Sequence, residues 1–140
     1  MGSPIVAQLA PAVDGIRLTL HVLAASAWVG GQITLAGLVP TARKLGPDAG
    51  QRLARAFSRL SWPAFAVLIA TGIWNITAVR AGQPHAWQVV LGVKIAIVVL
   101  AGISAWLHGR ARNRRDLAIW GAVTSVSSLA ALTMGVFLAG

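Results

Sequence analysis

The chain has 140 residues, of which 56% are hydrophobic and 11% charged, with 12 Lys and Arg against 3 Asp and Glu. Soluble domains carry about a quarter charged residues, so this composition excludes a water-exposed globule and indicates a small integral membrane protein. The net charge of +9 falls almost entirely in two short loops between apolar stretches, a pattern that reads as membrane topology and not as a nucleic-acid surface.

Cysteine is absent, which excludes thiolate metal sites, disulfides and iron–sulfur clusters. Of two methionines one is the initiator, so a thioether-rich copper path is excluded as well. The opening MGSPIVAQLAPAVDG lacks the basic start of a signal peptide, and the first apolar segment is therefore expected to be retained.

Residues 1–13, with Pro4 and Pro11, are expected to form an irregular lead-in, and Asp14 to cap the first helix. The first span is predicted over residues 15–39, stopped by Pro40. Ser26 with Gly30, and Ala27 with Gly31, form small-xxx-small pairs that let a neighbouring backbone approach. At helical spacing His21, Ala25, Trp28, Gln32 and Leu35 share one face, which gathers most of the polar and aromatic groups of this helix.

Residues 41–60 place Leu53, Phe57 and Leu60 on one side and Arg52, Arg55 and Arg59 largely on the other. They predict a short amphipathic helix lying at the cytoplasmic membrane surface. A second span is predicted over residues 62–79, with Pro63 in its first turn and Thr71 and Asn75 one turn apart near its far end. A turn carrying His85 leads to the third span, residues 87–108. Its 22 residues reach about 33 Å as a helix, enough to cross a hydrocarbon core of about 30 Å. Lys94, two turns in, costs roughly 2.5–3.5 kcal/mol at the centre of a bilayer, so a neighbouring group is expected to answer its charge. The loop GRARNRRD then precedes a fourth span over residues 117–138, whose Gly121, Ser125, Ser128 and Gly135 form a small-residue stripe expected to pack against protein.

Both basic loops lie on one side, which the positive-inside rule makes cytoplasmic, so both termini are expected to face outward. The predicted architecture is all-α: one domain over residues 1–140, an up-down bundle of four transmembrane helices. A faint echo between SAWVGG at 26–31 and SAWLHG at 104–109 hints at duplicated hairpins.

Depth counting places functional candidates. His21 lies seven residues past Asp14 and Lys94 seven past Trp87, each roughly 10 Å from the outer surface. Thr71 and Asn75 lie within two turns of that surface. These four residues are expected to converge on an outward-facing pocket, with Trp28 and Trp74 as walls and Asp14 and Arg17 at the mouth. Simpler roles stand beside this one. Lys94 can reach the interface or pair with Asn75 or a carbonyl, His21 can be a packing histidine, and the tryptophans suit interfacial belts. His85 and His108 are secondary candidates whose ordinary roles are a solvated turn and the opposite interface.

No HxxxH, HxxH or HExxH spacing occurs, so a closed all-protein metal site is not expected. His21 with Lys94 suits an anionic group that needs an axial ligand, such as haem b, whose propionates take cations. The alternative is copper bound with His21 in a pocket that desolvates Lys94.

Three segments, HVLAASAWVGGQITLAGLVP at 21–40, RAFSRLSWPAFAVLIATGIWN at 55–75 and LGVKIAIVVLAGISAWLHGRARNRR at 91–115, together resemble the membrane domain of the copper-resistance protein D (CopD) family. The shared pattern is a first-helix His followed by Trp-x-Gly-Gly, a Phe-Ser-Arg run before an apolar helix ending in Thr-Gly, and a Gly-x-x-Lys third helix closing on a basic loop. The resemblance implies a four-helix unit of the bacterial inner membrane that handles copper at its outer face, with His21 and Lys94 as the positions carried over. It also implies a periplasmic copper-binding protein or a homodimer as partner, since many of that family have eight helices or a fused copper-binding domain. The same His and Lys are similar to those of HemJ-type protoporphyrinogen oxidases, which implies haem b and a redox enzyme as the alternative. A structural accessory subunit of a larger membrane complex is the third expectation.

Overall fold

A computed structural model describes residues 11–139. Four helices make up the described chain: α1 Ala12–Leu45, α2 Ala49–Val79, α3 His85–Arg110 and α4 Arg114–Ala139. Each is long and apolar enough to cross a membrane. The third and fourth begin and end within three residues of the predicted spans. The first two differ more, for identifiable reasons.

Helix α1 starts at Ala12 with Pro11 in extended geometry (φ −51°, ψ 145°) before it. Asp14 is therefore inside the first turn instead of capping it, where its charge suits the helix dipole and pairs with Arg17. The lead-in around Pro4 lies outside the described residues. Pro40 does not end the helix, which runs on to Leu45 and stops at Gly46. A proline removes one backbone bond, and helices continue through it when the rest of the turn holds. Gly46, at φ 147°, adopts a conformation that other residues avoid, and that breaks the chain direction.

Residues Ser26–Gly30 form a π turn within α1. The extra residue in this turn shifts the register of the helix beyond it. The expected single stripe accordingly divides: His21 hydrogen-bonds to α2, whereas Trp28 and Gln32 hydrogen-bond to Ser128 of α4 at 2.9 and 3.3 Å.

The basic segment expected to lie flat on the membrane is instead the first part of α2. One helix runs unbroken from Ala49 to Val79 with Pro63 in its interior, about 46 Å long at 1.5 Å per residue. Of its apolar side Phe57 meets protein, its ring lying against Gly31 of α1 so closely that any side chain there would collide with it, whereas Leu60 is exposed. That contact holds the segment in line with the span.

Helices α1 and α2 form one packed hairpin and α3 and α4 the other, with α1 meeting α4 at the π turn. The interior is small and polar. Ser61, Thr71, Ser104, Thr124, Ser127 and Ser128 are buried, while Leu23, Ile73, Ile103, Val126, Phe137 and other large apolar side chains face outward. Lipid tails cover those apolar side chains as well as protein does, so small residues and interhelical hydrogen bonds do the packing. Ser104, with no exposed surface, lies hydroxyl to hydroxyl 3.0 Å from Thr124. Of the small-residue stripe on α4, Ser128 is buried, Gly121 lies under the His108 ring and Gly135 under Lys94, but Ser125 is exposed and reaches Gln32.

Candidate functional site

The site begins where α1 and α2 run antiparallel. Arg17 and His21 are one turn apart on α1, and Thr71 and Asn75 one turn apart on α2, so pairs meet at matching depth. His21 Nδ1 lies 2.8 Å from Thr71 Oγ1, and its Cε1 would sit 3.6 Å from a Cβ placed on Gly72. Gly72 thus gives the ring room to lie along α2.

Thr71 Oγ1 also lies 2.7 Å from the carbonyl of Val67, one turn back. When the hydroxyl proton of Thr71 goes to that carbonyl, Oγ1 accepts from Nδ1–H of His21, and a neutral imidazole then keeps its lone pair on Nε2. A histidine whose Nδ1–H is held by a protein acceptor presents Nε2 as a ligand in a defined orientation.

Arg17, expected at the pocket mouth, is buried, with 4% of its surface exposed. Its Nη2 pairs with Asp14 at 2.9 Å. Neither Nε nor Nη1 has a partner, and the same is true of Asn75 Oδ1. Mouth and interior are therefore reversed for this residue: Asp14 is half-exposed and Arg17 points its charge inward of it. Lys94 comes from the other hairpin. Its Nζ lies over Gly135, 3.0 Å from where a Cβ would stand. Nearby, Trp87 Nε1 donates to the Leu138 carbonyl at 3.2 Å and ties the same end of α3 to α4.

Two expected walls are not there. Trp74 is 41% exposed on the outside of α2, where an amphipathic ring suits lipid. Trp28 is buried two turns further along α1 than His21, packed on Phe65 and edge-on to Trp62, with ring centroids 4.5 and 5.9 Å away. It closes the bundle beneath the site instead of lining it. The secondary histidines lie elsewhere. His85 is exposed at the start of α3, and His108 Nδ1 donates to the Leu117 carbonyl at 2.9 Å, fastening the end of α3 to the start of α4.

The residues at hand are one imidazole, two cationic side chains and one amide oxygen without a partner. Among the described residues no group of three His, Cys, Asp or Glu gathers to hold a metal ion, so any metal here must bring further ligands with it. The sequence placed Arg17 at the mouth of the site by its depth; what it did not show is that the guanidinium is buried with Nε and Nη1 unpaired. Searches with the whole chain find no matching family model, no similar curated protein and no similar solved structure.

Proposed function

We propose that this is a CopD-like protein of a bacterial inner membrane that takes up or delivers copper at an outward-facing site, with His21 Nε2 as the protein ligand. The observation that supports the reading is the 2.8 Å contact of His21 Nδ1 with Thr71 Oγ1, itself 2.7 Å from the Val67 carbonyl, which occupies Nδ1 and leaves Nε2 for a metal. The motifs that resemble the CopD family also fall on contacts. His21 lies on Thr71 and Gly72, Gly31 of the Trp-x-Gly-Gly motif meets Phe57 of the Phe-Ser-Arg run, and Lys94 lies on Gly135. With both basic loops on the cytoplasmic side, His21, Arg17 and Lys94 belong to the outer half of the bundle and both termini face outward. A periplasmic copper-binding protein would meet that face, and a second copy of the chain is the simplest way to a larger bundle.

A haem b reading has its own support: Arg17 and Lys94 bring positive charge around the one imidazole ligand. His21 would supply the axial ligand, and the two cations would take the propionates. When bound, haem would supply one-electron chemistry.

The deciding experiment is an absorption spectrum and metal assay on the purified protein, with His21→Ala alongside. The copper reading expects bound copper that disappears in His21→Ala. A Soret band instead selects haem. Neither copper nor haem would sink both and leave an accessory subunit.

A further inference from the structure

Arg17 is the one charged residue buried among the described residues. Asp14 meets a single nitrogen of its guanidinium, and Nε and Nη1 are left without acceptors. Buried N–H groups of a cation are costly when unpaired. Asn75 Oδ1, also without a partner, stands one turn from Thr71 toward the same end of the bundle as Arg17 stands from His21. Donors and an acceptor are thus left open in one layer, one turn outside the imidazole.

A bare metal cation fits this layer poorly, because Arg17 and Lys94 both repel it in a medium that screens weakly. A metal that arrives chelated by carboxylates is neutral or anionic, and its outer carboxylate oxygens are acceptors only. Arg17 and His21, four apart on one helix, have Cβ atoms about 5–6 Å apart, so one chelate can meet both side chains. We propose that the ligand of this site is a carboxylate-bearing metal complex, with the metal on His21 Nε2 and a carboxylate on Arg17 Nε and Nη1. This rests on His21 being the metal ligand. Asn75 Oδ1 takes a donor, such as a hydroxyl, on the same chelator. Two sources share the chemistry: copper chelated by a small organic acid, and the iron of a porphyrin with its propionates.

The test uses the full chain purified in detergent. Copper citrate, which is anionic and carries free carboxylate, is compared with copper ethylenediamine, which is cationic and carries none. The citrate complex is expected to bind at least about tenfold more tightly, the advantage to disappear in Arg17→Gln and to be partly kept in Arg17→Lys. Equal binding of the two complexes by the unaltered protein overturns the proposal, even if Arg17→Gln fails to fold. Haemin tested against its dimethyl ester is the second arm. Binding that needs the free acids, and is lost in Arg17→Gln, supports the carboxylate site and names the porphyrin as its source. Loss of the citrate advantage in Arg17→Gln, with copper retained in His21→Ala, would remove His21 as ligand while leaving the carboxylate site standing. A citrate advantage that survives unchanged in Arg17→Gln refutes Arg17 as its seat.

Discussion

The hydroxyl of Thr71 decides what His21 can do. With its proton on the Val67 carbonyl it accepts from Nδ1 of His21, and the other ring nitrogen is left for a ligand. Thr71→Val keeps the shape and removes the acceptor. It is expected to weaken metal binding about 10- to 100-fold, the usual effect of removing a group that orients a ligand, whereas Thr71→Ser keeps most of the affinity. Metal titration of the two variants checks this, and equal losses in both would refute the orienting role. At this scale the sequence showed which residues to look at and at what depth, since residue counting along helices converts directly to distance. It did not show their surroundings. Arg17 and Trp74 exchange their expected roles, one buried and one exposed, because the direction in which a side chain leaves a helix matters only relative to a neighbour that the sequence does not identify.

Among the helices, α1 carries the most consequence. Its π turn separates the part that serves the site from the part that docks on α4, and Gly31 just after it admits the Phe57 ring. Gly31→Val is expected to destabilise the bundle by about 1–3 kcal/mol through overpacking. Phe57→Ala in the same chain should recover much of that loss, which thermal unfolding in detergent can measure. If Gly31→Val were as stable as the parent, the close packing of α1 on α2 would be refuted. The sequence marked the small residues at this crossing but not the π turn, because hydropathy patterns assume an uninterrupted helical period. Prolines misled as well: Pro40 and Pro63 look like boundaries, yet both helices run through them. The echo between 26–31 and 104–109 also dissolves at this scale. The first stretch forms the π turn with Trp28 buried, and the second is regular helix with Trp106 exposed.

For the molecule as a whole, Ser104 and Thr124 join α3 to α4, His21–Thr71 and the Phe57–Gly31 contact join α1 to α2, and large apolar side chains face outward to lipid. A double-mutant cycle on Ser104→Ala and Thr124→Ala is expected to give a coupling of about 0.6 kcal/mol, typical for a hydrogen bond within the bilayer. A coupling indistinguishable from zero would mean that the bond between them contributes nothing to the hairpin. Orientation is tested separately. The chain has no cysteine, so Arg112→Cys supplies a single label site. A reagent that cannot cross the membrane is expected to reach it only from the cytoplasmic side, and labelling from outside would overturn the proposed topology.

The sequence by itself determined that there are four membrane-crossing helices, where the last two begin and end, and that His21 and Thr71 lie at comparable depth. These follow from apolar length matched to bilayer thickness and from counting residues along a helix, both properties of one helix at a time. Only the tertiary structure decided that the basic segment continues α2, that Arg17 is enclosed with unpaired donors, and that the Thr71 hydroxyl meets Nδ1 of His21. Each of these depends on which face of one helix meets which face of another, and that is settled by close packing between small residues and by a register shift at the π turn, neither of which a linear pattern encodes.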